Sequence, residues 1–81
     1  MDADLLDLTG LKCPLPALMT RRHMASRAPG ATIDVVADDP MAAIDIPHMC
    51  AAEGIEVLSL KRDGAKTRFV LRGPARKDAA P

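Results

Sequence analysis

Leu5-Leu6-Asp7-Leu8-Thr9-Gly10-Leu11-Lys12-Cys13-Pro14-Leu15-Pro16 changes character twice within a few residues. Leu5 to Leu8 is a short apolar run that reads as a first strand, and Thr9-Gly10 reads as the turn after it. Cys13-Pro14-Leu15-Pro16 then opens a helix. Proline suits a first helical turn because the amides there have no partner within the helix. A strand passing through a glycine turn into a helix is the start of a β-α-β unit, and the rest of the chain can be read outward from it.

The first helix runs to about Arg27. Ala17, Met24 and Ala28 line one face, with Leu18 and Ala25 beside them, and Arg21 falls on the same stripe. Its stem can lie flat on apolar surface with its head in water. Pro29-Gly30 stops the helix. Thr32 to Ala37 is β-branched and reads as a second strand. Asp38-Asp39-Pro40 reads as a second helix start, with Asp39 as cap and Pro40 as first helical residue. That helix runs to about Glu53 and ends at Gly54, and Pro47 inside it should bend or loosen it. Ile55 to Lys61 is a third strand, Asp63-Gly64 a hairpin signal, and Lys66 to Arg72 a fourth strand.

The order is β-α-β-α-β-β. The fold class is α/β, in the sense of an α+β two-layer sandwich: a mixed four-stranded sheet with both helices on one face. If strands one and two are parallel, both helix starts lie at one edge of the sheet. Cys13 and Asp38-Asp39 are then neighbours in space. The expected organisation is a single domain over residues 1–81, ordered over about 5–72, with a loose tail over 73–81.

Composition narrows the function. The 81 residues carry eleven basic and eleven acidic side chains, so net charge draws the chain neither to nucleic acid nor to anionic lipid. The core must be aliphatic, since Phe69 is the single aromatic residue. No stretch approaches the ~20 apolar residues that span a bilayer. The N-terminus is acidic, with no long apolar run behind it, and two cysteines make no disulfide framework. A cytoplasmic protein with reduced thiols is the expectation.

Cys13 carries the candidate chemistry. A thiolate is the reactive form of cysteine, and a helix N-terminus, which is electropositive, should ease its ionisation. Pro14 and Pro16 are taken as shapers of the Cys13 loop. They contribute no amides, so the effect on the thiol should be moderate. No second cysteine forms a Cys-x-x-Cys redox pair. His23 and His48 are poorly spaced for a Cys-His hydrolytic pair, and the two Cys and two His lack the close pairs of a metal site. No cofactor or metal is expected. Cys50 reads as a small core residue. Asp38 and Asp39 most simply cap a helix; near a thiolate they would raise its pKa rather than activate it. Lys12, Met19, Arg21, Arg22, Asp38 and Asp39 are the candidate partner-binding residues, although Arg21 and Arg22 also fit a solvated helix face and Met19 fits packing.

Leu6 to Pro16, Met19-Thr20-Arg21-Arg22, Pro29-Gly30, Ala37-Asp38-Asp39-Pro40, Asp45-Ile46-Pro47 and Cys50 together resemble the TusA/SirA-like sulfur-carrier family, over about residues 5 to 72. The resemblance rests on Cys-Pro-x-Pro joined to Asp-Asp-Pro at the right distance. It implies a sheet order of 1-2-4-3. It also implies that Cys13 takes persulfide sulfur from a cysteine desulfurase or rhodanese-like donor. The sulfur would pass to an acceptor protein, as in tRNA 2-thiouridine synthesis; relatives serve molybdenum cofactor synthesis or sulfur oxidation. Nucleic acid would be met only indirectly, and a docking protein this small suits a monomer. Leu15 stands where tRNA-branch members often have Glu, so the pathway is open. Two other readings stay open beside it. One is a non-catalytic module that binds protein or RNA through the open sheet face and basic C-terminal strand. The other is a thiol-redox sensor that forms a Cys13–Cys50 disulfide.

Overall fold

The computed structural model describes residues 4–75. Its elements are β1 (Asp4–Asp7), α1 (Leu15–Ala25), β2 (Thr32–Ala37), α2 (Ala42–Glu53), β3 (Glu56–Asp63) and β4 (Lys66–Arg72). They form a four-stranded sheet in the order β1-β2-β4-β3. β1 runs parallel to β2, and the other pairings are antiparallel. The expected β-α-β-α-β-β fold and its mixed sheet are therefore present.

Alternation in β2 and β4 explains the layers. Ile33, Val35 and Ala37 face the helices from β2, and Thr67, Phe69 and Leu71 face them from β4. Ala17 and Met24 of α1, and Ala42, Ile46 and Cys50 of α2, close over this face. Phe69, Ile33, Ile46, Cys50 and Leu71 are fully buried. The opposite face carries Leu5 and Asp7, Asp34 and Val36, Arg68 and Val70, and Ser59 and Lys61 in register.

Several boundaries differ from the sequence reading, each for a local reason. α1 stops at Ala25 rather than Arg27. The Ser26 amide and hydroxyl both donate to the His23 carbonyl, at 3.1 and 2.7 Å, which tightens the last turn. Its buried stripe is Pro16, Ala17, Thr20 and Met24, whereas Leu18, Ala25 and Ala28 are exposed. Thr20 enters the core because its hydroxyl donates to the Pro16 carbonyl at 2.7 Å. Arg21 reaches outward to Glu53, 3.9 Å away. α2 runs unbroken through Pro47, although that residue offers no amide to the Ala43 carbonyl. Gly54 ends it in the left-handed region at φ 73°, where the Gly54 and Ile55 amides both return to the Cys50 carbonyl. The hairpin loop is Gly64-Ala65, with Asp63 paired to Lys66. Gly64 has φ 61° and Ala65 does not need positive φ, so glycine occupies the first loop position. The tail begins anchored: Gly73 donates to the Ala31 carbonyl and the Pro74 carbonyl accepts from Gly30. The looseness expected beyond them concerns residues 76–81, which lie outside the described residues, as do residues 1–3.

Burial pushes the Cys50 thiol from an ordinary 9.0 up to about 11. Between those values the folded chain holds a proton that the unfolded chain has released, so stability falls as pH rises through that window. The expected loss is on the order of 2 kcal/mol. Urea denaturation from pH 8 to about 11 should show a steeper decline for the wild type than for Cys50→Ala, whose overall stability is lower.

Candidate functional site

The site forms where the β1–α1 and β2–α2 connections meet at one edge of the sheet. The Leu8 amide extends the parallel pairing by donating to the Val36 carbonyl at 2.8 Å. The two chains then turn toward the helices side by side. Asp38 accepts from the Gly10 amide at 2.9 Å. Asp39, 9% exposed, accepts from the Cys13 amide at 2.8 Å. The neighbourhood of Cys13 and Asp38-Asp39 expected from the topology is thus made by two carboxylate-to-amide bonds.

This contact changes the role of Asp39. It was expected to cap α2, but α2 starts at Ala42 behind Met41 with no side-chain cap. The backbone carbonyl of Asp39 accepts from the Ala42 amide at 2.9 Å, while its carboxylate serves the Cys13 loop. Pro40 and Met41 lie before the helix rather than in it.

Cys13 is exposed, just before Pro14, and the Cys13–Pro14 peptide bond is cis. Its Sγ–H donates to Asp45 Oδ2 at 2.8 Å. The ionisation expected from the helix start is reversed. The thiol is pushed above its ordinary pKa, first by the hydrogen bond to Asp45, then by desolvation and by the charges of Asp45 and Asp39. The helix supplies little to oppose them. Pro14 and Pro16 have no N–H, the Leu15 amide donates to the Lys12 carbonyl at 2.8 Å, and the first turn has no other charged group.

The sequence carries no signal that marks Asp45 as a site residue beyond its place in the Asp45-Ile46-Pro47 stretch. An acidic residue in a first helical turn already has an ordinary explanation in the helix dipole. Its contact with a residue 32 positions away needs both connections folded. Pro16 is buried and Pro14 exposed, so the first anchors the helix start and the second borders the thiol. Lys12, Met19, Arg21 and Arg22 are all exposed. Met19, Arg21 and Arg22 line a shallow groove with Leu15, Leu18 and Glu53. Leu15, Leu18 and Met19 of α1 and Met41 and Ile44 at the start of α2 leave large apolar side chains in solvent at this end of the helices.

His23 lies away from the thiol, its Nε2 3.2 Å from Asp4 Oδ2, and Arg27 meets the same carboxylate at 3.0 Å. Cys50 is buried in the core, and both cysteines are free. No helix among the described residues is long and apolar enough to cross a membrane.

The fold and site define a small α+β protein built to present one exposed thiol at the junction of two helix starts. The family model for sulfurtransferase TusA matches residues 5–73, and the chain belongs to that family. Its general role is sulfur transfer in relay with other proteins.

Asp39→Ala should cost about 1–3 kcal/mol, because it leaves the Cys13 amide without its carboxylate. Asp39→Asn, which keeps an acceptor oxygen, should lose less. Urea midpoints at a common slope check both.

Proposed function

We propose that this protein is a persulfide carrier in which Cys13 receives one sulfur atom from a donor protein and hands it to an acceptor. The observation that carries this reading is the exposed Cys13 thiol on a loop pinned by Asp38 and Asp39, in a chain of the sulfurtransferase TusA family. A carrier thiol must be reachable from two different partners in turn, so it needs exposure and a fixed mount more than an enclosed pocket.

The transfer needs no cofactor. Cys13 Sγ attacks the terminal sulfur of the donor persulfide. The Sγ–S bond forms as the donor's S–S bond breaks, and the donor departs as a thiolate that takes up a proton. One thiol and one persulfide stand on each side, so there is no net oxidation. Hand-off repeats the exchange with the acceptor as nucleophile. A cysteine desulfurase or a rhodanese-like protein fits the donor role within the cytoplasm. A protein of the tRNA 2-thiouridine route fits the acceptor role.

Two features support docking of proteins at this edge. The exposed Leu15, Leu18, Met19, Met41 and Ile44 provide the apolar centre that a transient interface uses. Lys12, Arg21 and Arg22 beside them provide a charged rim. Burial of Cys50 in the core, against the exposure of Cys13, speaks against a Cys13–Cys50 redox couple.

Incubation with a cysteine desulfurase and cysteine should raise the intact mass of the wild type by one sulfur atom. Cys13→Ala should gain none, and Cys50→Ala should load as the wild type does. Sulfur retained on Cys13→Ala would remove Cys13 as the carrier.

A further inference from the structure

We infer that Asp45 is a catalytic residue of this sulfur hand-off: its carboxylate holds the Cys13 proton in the empty carrier and disfavours the loaded carrier, so that sulfur is passed on rather than kept. This rests on the carrier reading above and deepens it. The geometry is direct, since Asp45 Oδ2 lies 2.8 Å from Cys13 Sγ, the atom that forms and breaks the S–S bond. Asp45 is half-buried on the first turn of α2, and no ion pair with it is found among the described residues. The groups facing the thiol are Asp45 from α2 and Asp39 from the connection before it; α1 presents no acidic residue in its first turn.

The two states of the carrier meet Asp45 differently. In the empty state, Sγ–H donates to the carboxylate and both partners are satisfied. On loading, the Sγ proton passes through Asp45 Oδ2 to the departing donor thiolate as Sγ bonds to the transferred sulfur. Sγ then carries no hydrogen, and an acceptor oxygen faces a bare sulfur. If the terminal sulfur ionises, its charge also stands near those of Asp45 and Asp39, and like charges disfavour it. Loading therefore loses a hydrogen bond that unloading restores. The bias acts on the equilibrium between thiol and persulfide, whichever protein takes the sulfur. The same contact keeps the empty thiol protonated and so poorly reactive toward alkylating agents and oxidants.

The test compares wild type, Asp45→Asn and Asp45→Ala in the full-length chain, with thermal unfolding recorded for each. Iodoacetamide labelling of Cys13 against pH, read by intact mass, should be on the order of tenfold faster at pH 7 in both variants, with its midpoint at lower pH. Under a fixed polysulfide concentration, the persulfide fraction at equilibrium should rise in both variants, and release of that sulfur to a small thiol should slow. Labelling rate and loading that match the wild type, in variants that unfold at the wild-type temperature, would overturn the role of Asp45. Faster labelling with no sulfur uptake by any of the three proteins would overturn the carrier reading while leaving the hold of Asp45 on the thiol proton supported.

Discussion

Two short hydrogen bonds, from the Cys13 amide to Asp39 and from the Gly10 amide to Asp38, tie the β1–α1 connection to the β2–α2 connection. Parallel pairing of β1 with β2 brings the two connections out at the same edge, but pairing alone leaves the loops free to move there. A carboxylate against a backbone amide is a charge-assisted bond with a defined direction. It places the thiol beside the first turn of α2, and every later property of the site follows from that placement. The contact with Asp45 is one, and the shared exposed apolar surface of the two helix starts is another.

The electrostatics of the thiol show which effect prevails. A helix N-terminus favours an anion through its partial positive charge and free amides. Here the prolines and the Lys12 carbonyl take most of that away. Asp45 is in hydrogen-bond contact and bears a full negative charge, so it outweighs what remains of the dipole. The thiol is accordingly held protonated at the place where helix geometry alone would favour a thiolate. In the proposed carrier role the thiol is loaded by one protein and emptied by another, and a permanently reactive thiol would favour neither step selectively.

Much of the fold is legible along the chain. β2 and β4 are rich in β-branched and other apolar residues, and their limits match the sequence reading. Gly54 marks the end of α2 because the left-handed turn there suits a residue without a Cβ. Legibility fails where a polar side chain has a choice of partner. Thr20 looks like a surface residue until its hydroxyl finds the Pro16 carbonyl and the side chain enters the core. Asp39 looks like a cap until its carboxylate finds a closer amide 26 residues back. The hairpin loop lies one residue beyond the Asp63-Gly64 signal, since Asp63-Gly64 and Gly64-Ala65 are both acceptable turns and only strand register separates them.

By itself the sequence determined the order of strands and helices and the aliphatic core, and it singled out Cys13 as the candidate reactive residue. These follow from local periodicity, from glycine and proline, and from the scarcity of other nucleophiles. The tertiary structure alone decided the state of that residue. Asp39 and Asp45 stand 26 and 32 positions from Cys13. Electrostatic and hydrogen-bond energies depend on distance through space, and a linear pattern carries no such distance until the sheet has brought its two connections together.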